Sequence, residues 1–251
     1  MVRRIFRWTF RIVLGLIVGV ILYEAVIFVR VYWLRAHNPS STSLIDTRAS
    51  EARAKGQQPR REQVWVPLEK ISGNLQRAVL AGEDTNFTIH RGFDYEAIQK
   101  AYEQAQREAA REAKREGEDD DWLPNLPEFK RGASTISQQL AKNLYLSSQR
   151  SFIRKGQEAV VTIMLERLLT KRRILEIYLN VIEWGDGVYG AEAAAQKYFR
   201  KPASSLSANE AAYLSAMIPN PRTVFNPQVN PRRVARRQRI ILRGMPYVKL
   251  P

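Results

Sequence analysis

An apolar stretch near the N-terminus constrains this chain more than any other feature of its sequence. Ile12 to Val29 are 18 residues that are apolar or glycine, except for Tyr23 and Glu24. A helix of this length can cross the hydrocarbon core of a bilayer, which takes about 20 residues. The sequence therefore predicts one transmembrane helix at residues 12–34, followed by the bulk of the chain.

Arginines are distributed unevenly about this stretch. Arg30 and Arg35 follow it, whereas four arginines precede it: Arg3, Arg4, Arg7 and Arg11. The positive-inside rule then places residues 1–11 in the cytoplasm as a basic tail and the bulk of the chain across the membrane. A cleaved signal peptide is the competing interpretation, but the apolar core is long for one and no small-x-small site directly follows it. An uncleaved anchor is therefore favoured.

Glu24 is the one discordant residue of the anchor. A carboxyl group inside a membrane costs a few kcal/mol unless it is neutral or paired. We expect it near the outer end of the span or against a neighbouring helix, as a tolerated residue rather than a functional one.

The charge balance limits the class of partner. The chain has 251 residues, with 40 Lys and Arg against 25 Asp and Glu, and a formal net charge of +15. This charge predicts a polyanionic partner: nucleic acid, anionic lipid headgroups or a pyrophosphate-bearing substrate. The absence of cysteine excludes disulfides and thiolate metal sites. The two histidines, His37 and His90, argue against a multi-histidine metal site.

Pattern and length predict one helical domain after the anchor. Residues 35–63 are rich in Ser, Thr, Gln and Arg with little apolar periodicity, which indicates a linker. From Ile71 onward apolar residues recur at helical spacing. Residues 64–251 are therefore predicted to form one mainly α-helical domain, of a size that a single core supports. Arg232 to Arg243 is predicted to form a basic helix near its end.

Three polar clusters in this helical sequence suggest one assembled site. In the first, Glu83 and Asp84 follow a helical stretch, and His90 and Asp94 come shortly after. From these residues alone, turn and capping chemistry is the favoured explanation, with Asp94 capping a helix that begins at Tyr95. The pair is expected at a helix end or in a loop, and loop carboxylates are also well placed to act on a substrate.

The second cluster runs from Gly132 to Asn143. Thr135 and Gln138 have the spacing of a capping box, and a stripe at helical spacing predicts a buried face: Ile136, Leu140 and Leu144. The rest of the surface carries groups suited to hold sugar hydroxyls or phosphate oxygens: Gln138, Gln139, Lys142, Asn143 and Tyr145.

The third cluster contains Arg154, Lys155 and Glu158, whose spacing brings all three to one helical face. Taken alone, an ordinary surface ion pair of about 0.3 to 0.5 kcal/mol is the favoured explanation. Two separated glutamates beside basic or amide groups are, however, also what glycosyl transfer uses.

In their order, these clusters resemble the signature of the peptidoglycan glycosyltransferases, glycosyltransferase family 51. The first family motif, Glu-Asp-x-x-Phe-x-x-His-x-Gly, matches Glu83, Asp84, Phe87, His90 and Gly92. The second, Gly-x-Ser-Thr-x-Thr/Ser-Gln-Gln, matches Gly132, Ser134, Thr135, Ser137, Gln138 and Gln139, and continues through Lys142 and Asn143. The third, Arg-Lys-x-x-Glu, matches Arg154, Lys155 and Glu158. A fourth motif resembles residues 173–180, and a fifth, less specific one resembles residues 190–201.

The chain looks like the monofunctional, membrane-anchored branch of this family. The bifunctional relatives, class A penicillin-binding proteins, add a transpeptidase domain with Ser-x-x-Lys and Lys-Thr-Gly motifs, and neither motif is present in this sequence. Ser137 stands where many bifunctional members carry Thr, which keeps the hydroxyl group.

The resemblance implies a fold and a reaction. The implied fold is mainly α, with a lysozyme-like helical lobe and a small membrane-associated jaw lobe, preceded by one transmembrane helix. The implied reaction polymerises lipid II into linear glycan strands, inverts the anomeric centre and releases undecaprenyl diphosphate. By the same resemblance Glu83 is the general base, and Glu158 orients cations, a divalent ion or the donor sugar.

The resemblance also assigns substrate-binding residues. They are Asp84, Phe87, His90, Ser134, Thr135, Gln138, Gln139, Lys142, Asn143, Arg154 and Lys155. Among them Lys142, Arg154 and Lys155 are expected to neutralise the diphosphate. No cofactor is expected to be required, and the sequence shows no dedicated metal site. The resemblance still allows a divalent cation, Mg²⁺ or Mn²⁺, to stimulate the reaction.

The implied partners are lipid II, the growing glycan strand, the membrane and other proteins of cell-wall synthesis or division, and not nucleic acid. The implied location is the bacterial inner membrane, crossed once, with the catalytic domain in the periplasm. Three alternatives stay open. One is a membrane-bound lytic transglycosylase or muramidase that cleaves glycan strands. Another is an anchored protein that binds nucleic acid through its positive net charge. The third is a structural cell-wall scaffold.

Overall fold

The computed structural model describes residues 2–116, 134–146 and 151–251. Within these ranges the chain is mostly helical with little sheet, as predicted. The helices are α1 Val2–Trp33, α2 Ser43–Ala54, α3 Gly73–Glu83, α4 Tyr95–Glu116, α5 Ile136–Tyr145, α6 Phe152–Leu168, α7 Lys171–Val181, α8 Ala191–Phe199, α9 Ala208–Met217 and α10 Pro231–Gly244. Short 3-10 helices lie at Leu68–Lys70, Ala203–Ser205 and Met245–Tyr247, and the strands are β1 Glu62–Gln63, β2 Glu183–Gly185 and β3 Val188–Tyr189.

Helix α1 contains the predicted anchor. Its segment Phe6–Trp33 is long and apolar enough to cross a membrane, with a mean hydropathy of 2.7. Helix α1 also packs on α6. The buried residues of α1 are spaced along one face: Ile27 and Val31. Glu24 precedes them on that face, and Gln157 Nε2 of α6 donates to Glu24 Oε2 at 3.3 Å. The carboxyl group therefore lies against a neighbouring helix, one of the two expected positions.

The segment predicted to be a linker, residues 35–63, contains helix α2. The Thr42 hydroxyl caps this helix by accepting from the backbone N–H of Ile45 at 3.2 Å. Arg48 then donates from Nη2 to Glu183 Oε2 at 3.0 Å. Ile45 is the buried residue of α2, all of which is described. The helix is therefore held by polar contacts with the domain, which apolar periodicity does not detect.

The three strands form one small sheet in the order β1-β3-β2, with β1 parallel and β2 antiparallel to β3. The chain leaves β3 through Gly190, whose φ is +83°. A Cβ atom there would lie 2.7 Å from the backbone oxygen of Asn180. Both the backbone angle and the close approach therefore require glycine.

The side chain of Asn180 binds the backbone at Val66, where the chain enters the domain. Its side chain is fully buried, and it accepts from the Val66 N–H and donates to the Val66 carbonyl, both at 2.9 Å. Asn180→Ala leaves both backbone groups without this partner, so we expect it to lower the free energy of unfolding by about 2 kcal/mol. Thermal unfolding followed by circular dichroism in detergent measures the effect. Asn209→Ala, at an exposed position of α9, is the control. Equal midpoints of thermal unfolding for the two variants would show that the hydrogen bonds of Asn180 to Val66 do not stabilise the domain.

Two helix groups position the polar clusters. Helix α3 packs on α9 and α10, and α5 packs on α6 and α7. The capping box of Thr135 and Gln138 is present at the start of α5, and the predicted stripe is buried, which confirms both expectations. The predicted cap on α4 is also confirmed, since Asp94 Oδ1 accepts from the backbone N–H of Ala97 at 2.9 Å.

Candidate active site

Glu83 is the last residue of α3 and lines a cleft of about 220 Å³. Its side chain is 9% exposed, and both carboxylate oxygens are held. Gln139 Nε2 donates to Oε2 at 2.9 Å, and Arg237 Nη2 donates to Oε1 at 2.7 Å. The hydroxyl of Tyr178 donates to Gln139 Oε1 at 2.8 Å. That bond fixes which end of the amide faces the carboxylate.

The surroundings of Glu83 change its affinity for a proton. Burial raises the pKa of the Glu83 carboxyl, while Arg237, Gln139 and Lys142 act in the opposite direction. A carboxylate with a raised pKa takes a proton more readily than one at the surface. Burial also raises the pKa of Tyr178 well above its usual value, so this hydroxyl stays a neutral donor.

Asp84 joins the first cluster to the second. Its Oδ2 accepts from the backbone N–H of Ile136, at the start of α5, at 2.9 Å. His90 Nε2 lies 2.9 Å from Asp84 Oδ1, and His90 Nδ1 accepts from the Gly92 N–H at 3.1 Å. The imidazole proton is therefore assigned to Nε2, which donates to Asp84. Asp84 and His90 thus fix α5 against α3, and their direct contact with substrate stays a prediction.

Phe87, Thr135 and Gln138 are buried as well. The Lys171 ammonium lies 4.4 Å from the centroid of the Phe87 ring, a cation–π contact. The side chains of Thr135 and Gln138 are both used by the capping box. Of the three, Thr135 lines the cleft of Glu83, and substrate binding by all three stays a prediction.

The remaining residues of the second cluster face two cavities. Ser134 lines the first cleft together with Glu83. Gln139, Lys142 and Asn143 line a second cavity of about 210 Å³. The hydrogen bond between Glu83 and Gln139 places the two cavities side by side. Gly132, which opens the second motif, lies outside the described residues.

Lys142 is an available cation of this site. Its side chain is exposed, and within the described residues it makes no ion pair. The protein around it nevertheless removes part of its hydration, which lowers the pKa of the Lys142 ammonium, as do Arg154 and Lys155. Glu158 and Glu83 oppose this change. Lys142 is therefore within electrostatic reach of both glutamates.

The third cluster meets on one face of α6, as predicted. Arg154 Nη1 donates to Glu158 Oε2 at 2.8 Å, and the Lys155 ammonium donates to Oε1. Glu158 is only 4% exposed, so this is not the ordinary surface pair that the residues alone favoured. The Nε of Arg154 is buried with no hydrogen-bond partner among the described residues. The arrangement holds two cations close to Lys142.

Sequence analysis assigned neither Tyr178 nor Arg237 to the site, and Arg237 is the one of the two that contacts Glu83 directly. It lies 154 positions after Glu83 in the chain, within a basic helix, so no short motif contains it. A signal was nevertheless present. Arg237 falls between Val234 and Ile241 at helical spacing, and both of these are buried. An arginine on the apolar face of an amphipathic helix is directed at the domain rather than at solvent.

A comparison with known families decides the assignment. Residues 50–117 and 122–246 match the family model described as transglycosylase. The chain belongs to the transglycosylase family. Membership confirms the resemblance found in the motifs, and the matched region begins inside α2, which the sequence had assigned to a linker.

Relatives in the transglycosylase family match along nearly the whole chain. The biosynthetic peptidoglycan transglycosylase of Thiobacillus denitrificans is 44% identical over 249 residues, which is 99% of each chain. The protein of the same name from Azoarcus sp. is 44% identical over 250 residues, again 99% of each chain. That from Methylobacillus flagellatus is 46% identical over 235 residues, 94% of each chain. The shared name describes synthesis, so these relatives do not favour the lytic alternative.

Proposed function

We propose that this protein is a peptidoglycan glycosyltransferase that polymerises lipid II, a disaccharide-pentapeptide on undecaprenyl diphosphate, into linear glycan strands. The observation that carries the proposal is the position of Lys142. It lines a cavity together with Gln139, which donates to the buried Glu83, and its charge also interacts with the cation-holding Glu158. One side of the site is thus suited to accept a proton and the other to receive an anion. Family membership and the name of the relatives support this reaction.

Glu83 acts as the general base. Its carboxylate takes the proton of the 4-hydroxyl group of the acceptor lipid II, and that oxygen attacks the anomeric carbon of the terminal muramyl unit of the growing chain. The new carbon–oxygen bond forms as the bond to the diphosphate breaks. Undecaprenyl diphosphate leaves with the electron pair, and attack from the opposite side inverts the centre from α to β.

The cations act on the leaving group. Negative charge grows on the diphosphate as its bond to the sugar breaks, and fixed cations stabilise that charge in the transition state. Lys142 presents an exposed ammonium without a described ion pair, whereas the unpartnered N–H of Arg154 is buried. The Lys142 ammonium is therefore suited to bind phosphate oxygens directly, and Arg154 acts on them through its charge.

Glu158 orients two of these cations. Both of its oxygens already accept from Arg154 and Lys155, so the proposal assigns no residue to a divalent ion. The reaction as proposed needs no cofactor, and Mg²⁺ or Mn²⁺ would act only by adding positive charge near the diphosphate.

The domain works at a membrane in this proposal. Helix α1 crosses the bacterial inner membrane with residues 1–11 in the cytoplasm and the enzyme domain in the periplasm. Helix α6, which packs on α1, carries exposed apolar side chains that are suited to contact lipid: Phe152, Ile153 and Ile163. Lipid II and the growing strand are reached at this surface. Other proteins of cell-wall synthesis or division are the remaining expected partners.

The test uses the full-length protein in detergent. It is incubated with labelled lipid II, and the products are separated on a gel. The proposal predicts glycan polymer that lengthens with time. Purified peptidoglycan is the second substrate. Release of fragments from it, without polymer from lipid II, would assign the lytic activity instead.

A further inference from the structure

Arg237 differs from the other arginines of α10. Five arginines of this helix are exposed: Arg232, Arg233, Arg236, Arg239 and Arg243. Arg237 instead lies on the face of Val234 and Ile241, with 26% of its side chain exposed. Helix α10 packs on α3 and α9. One arginine of a basic helix is therefore directed at the end of α3, where Glu83 lies.

Two hydrogen bonds hold the guanidinium in place. Arg237 Nη2 donates to Glu83 Oε1 and to the backbone oxygen of Gly82, both at 2.7 Å. The ring of Phe225 lies beside the same guanidinium, with its centroid 5.6 Å from Cζ. A planar guanidinium that is bound to backbone and lies against a ring has a defined position. From that position it holds one oxygen of the carboxylate.

The helices approach each other closely at Gly82. A Cβ atom at this position would lie 2.7 Å from Ser215 Oγ and 3.1 Å from Cδ1 of Ile241. Glycine therefore lets α9 and α10 come close to the end of α3. The contact between Arg237 and Glu83 depends on this approach, at the residue that directly precedes the carboxylate.

The charged surroundings of Glu83 decide which group controls its protonation. Among the described residues these groups are Arg237 on α10, Lys142 on α5, Tyr178 on α7, the adjacent Asp84, and Asp94, which lines the same cleft. Lys142 acts at longer range, and Tyr178 donates to Gln139 rather than to Glu83. Within the described residues, Arg237 is the cation that hydrogen-bonds to this carboxylate.

We infer, on the basis of the proposed role of Glu83 as base, that Arg237 is a positioning residue. It keeps the Glu83 carboxylate ionised and oriented toward the acceptor, and it does not itself contact the substrate. Burial favours the protonated form of a carboxyl group, whereas a neighbouring cation favours the ionised form. Arg237 fixes Oε1 and Gln139 fixes Oε2. The carboxylate is therefore oriented before the acceptor binds, and its remaining lone pairs are left for the acceptor hydroxyl.

The experiment measures kcat and KM for lipid II polymerisation across pH with the full-length wild type, Arg237→Gln and Arg237→Lys. Arg237→Gln is expected to lower kcat about 10- to 100-fold with little change in KM. It should also move the acidic limb of the kcat profile to higher pH by at least about 1 pH unit, because Glu83 protonates more readily without the cation. Arg237→Lys keeps the positive charge but loses the planar guanidinium. We therefore expect this variant to have the acidic limb of its kcat profile at the wild-type pH and to retain only part of the wild-type kcat.

Exposed arginines of the same helix supply the controls. Arg236→Gln and Arg239→Gln remove the same charge from positions that face solvent, and we expect wild-type kcat and pH profiles. If Arg237→Gln fails to fold, Phe225→Leu is measured instead, because it keeps Arg237 and removes the ring beside it. We expect the acidic limb of its kcat profile to move to higher pH by less than in Arg237→Gln. An unmoved acidic limb in Arg237→Gln, or in Phe225→Leu when that variant has to be used, overturns the inference.

The Glu83→Gln background separates this inference from the proposed function. There Arg237→Gln is expected to leave the residual rate unchanged, because a positioning residue acts through the base. A wild-type rate in Glu83→Gln would remove the base assignment and the role of Arg237 together. Loss of activity in Glu83→Gln, with a wild-type profile in Arg237→Gln, would overturn the role of Arg237 alone.

Discussion

Replacement of Glu83 by glutamine is expected to lower kcat for glycan polymerisation by about 10²- to 10⁴-fold, the range that loss of a general base produces. An amide is close in size to a carboxylate and its oxygen can still accept from Arg237, so the fold should be retained. The amide cannot, however, take the proton of the acceptor hydroxyl. Initial rates at saturating lipid II measure the effect, with KM close to that of the wild type.

Glu96→Gln is the matched control for this variant. Glu96 lies on α4, where it forms an exposed pair with Lys100, and we expect its replacement to leave the rate unchanged. Circular dichroism and the midpoint of thermal unfolding establish that each variant is folded. A Glu83→Gln enzyme with the wild-type kcat would show that another group removes the proton.

Lys142→Ala is expected to lower kcat by about 10²- to 10³-fold, the usual effect of removing one group that stabilises charge in a transition state. The Lys142 ammonium is within electrostatic reach of both glutamates and has no ion pair among the described residues. Its charge is therefore available to the diphosphate as the bond to the sugar breaks. Release of undecaprenyl diphosphate at saturating lipid II measures the loss, and Lys142→Arg is expected to recover part of it.

Lys197→Ala removes an exposed lysine from α8 and is expected to have no effect on kcat. The division between kcat and KM is the informative result for Lys142→Ala. A rise in KM with unchanged kcat would mean that Lys142 binds the ground state and the transition state equally. That outcome would contradict its assigned role in the departure of the diphosphate.

Local sequence rules were sufficient where neighbours in the chain determine the structure. The capping box at Thr135 and the stripe on α5 follow from spacing alone, and both are present. The same holds for Arg154 and Lys155, which meet Glu158 within one helical turn. The length and hydropathy of α1 also follow from the sequence.

Contacts between distant segments account for what the sequence did not predict. Helix α2 is held by the bond from Arg48 to Glu183, two residues 135 positions apart, and it has little apolar periodicity. Asp84 and His90 look like turn residues in the sequence, but Asp84 caps α5 from another segment. Arg237 reaches Glu83 only because three helices pack closely at Gly82. In each case the tertiary packing, rather than local propensity, sets the role.

The measurement that tests the central claim most directly counts bonds and leaving groups in one reaction of the wild-type protein with lipid II. The account predicts one undecaprenyl diphosphate released for each glycosidic bond formed, with every new bond in the β configuration. Bonds in the α configuration would contradict inversion with Glu83 as base. Release of the diphosphate without new glycosidic bonds would show hydrolysis and contradict the assignment as a polymerase.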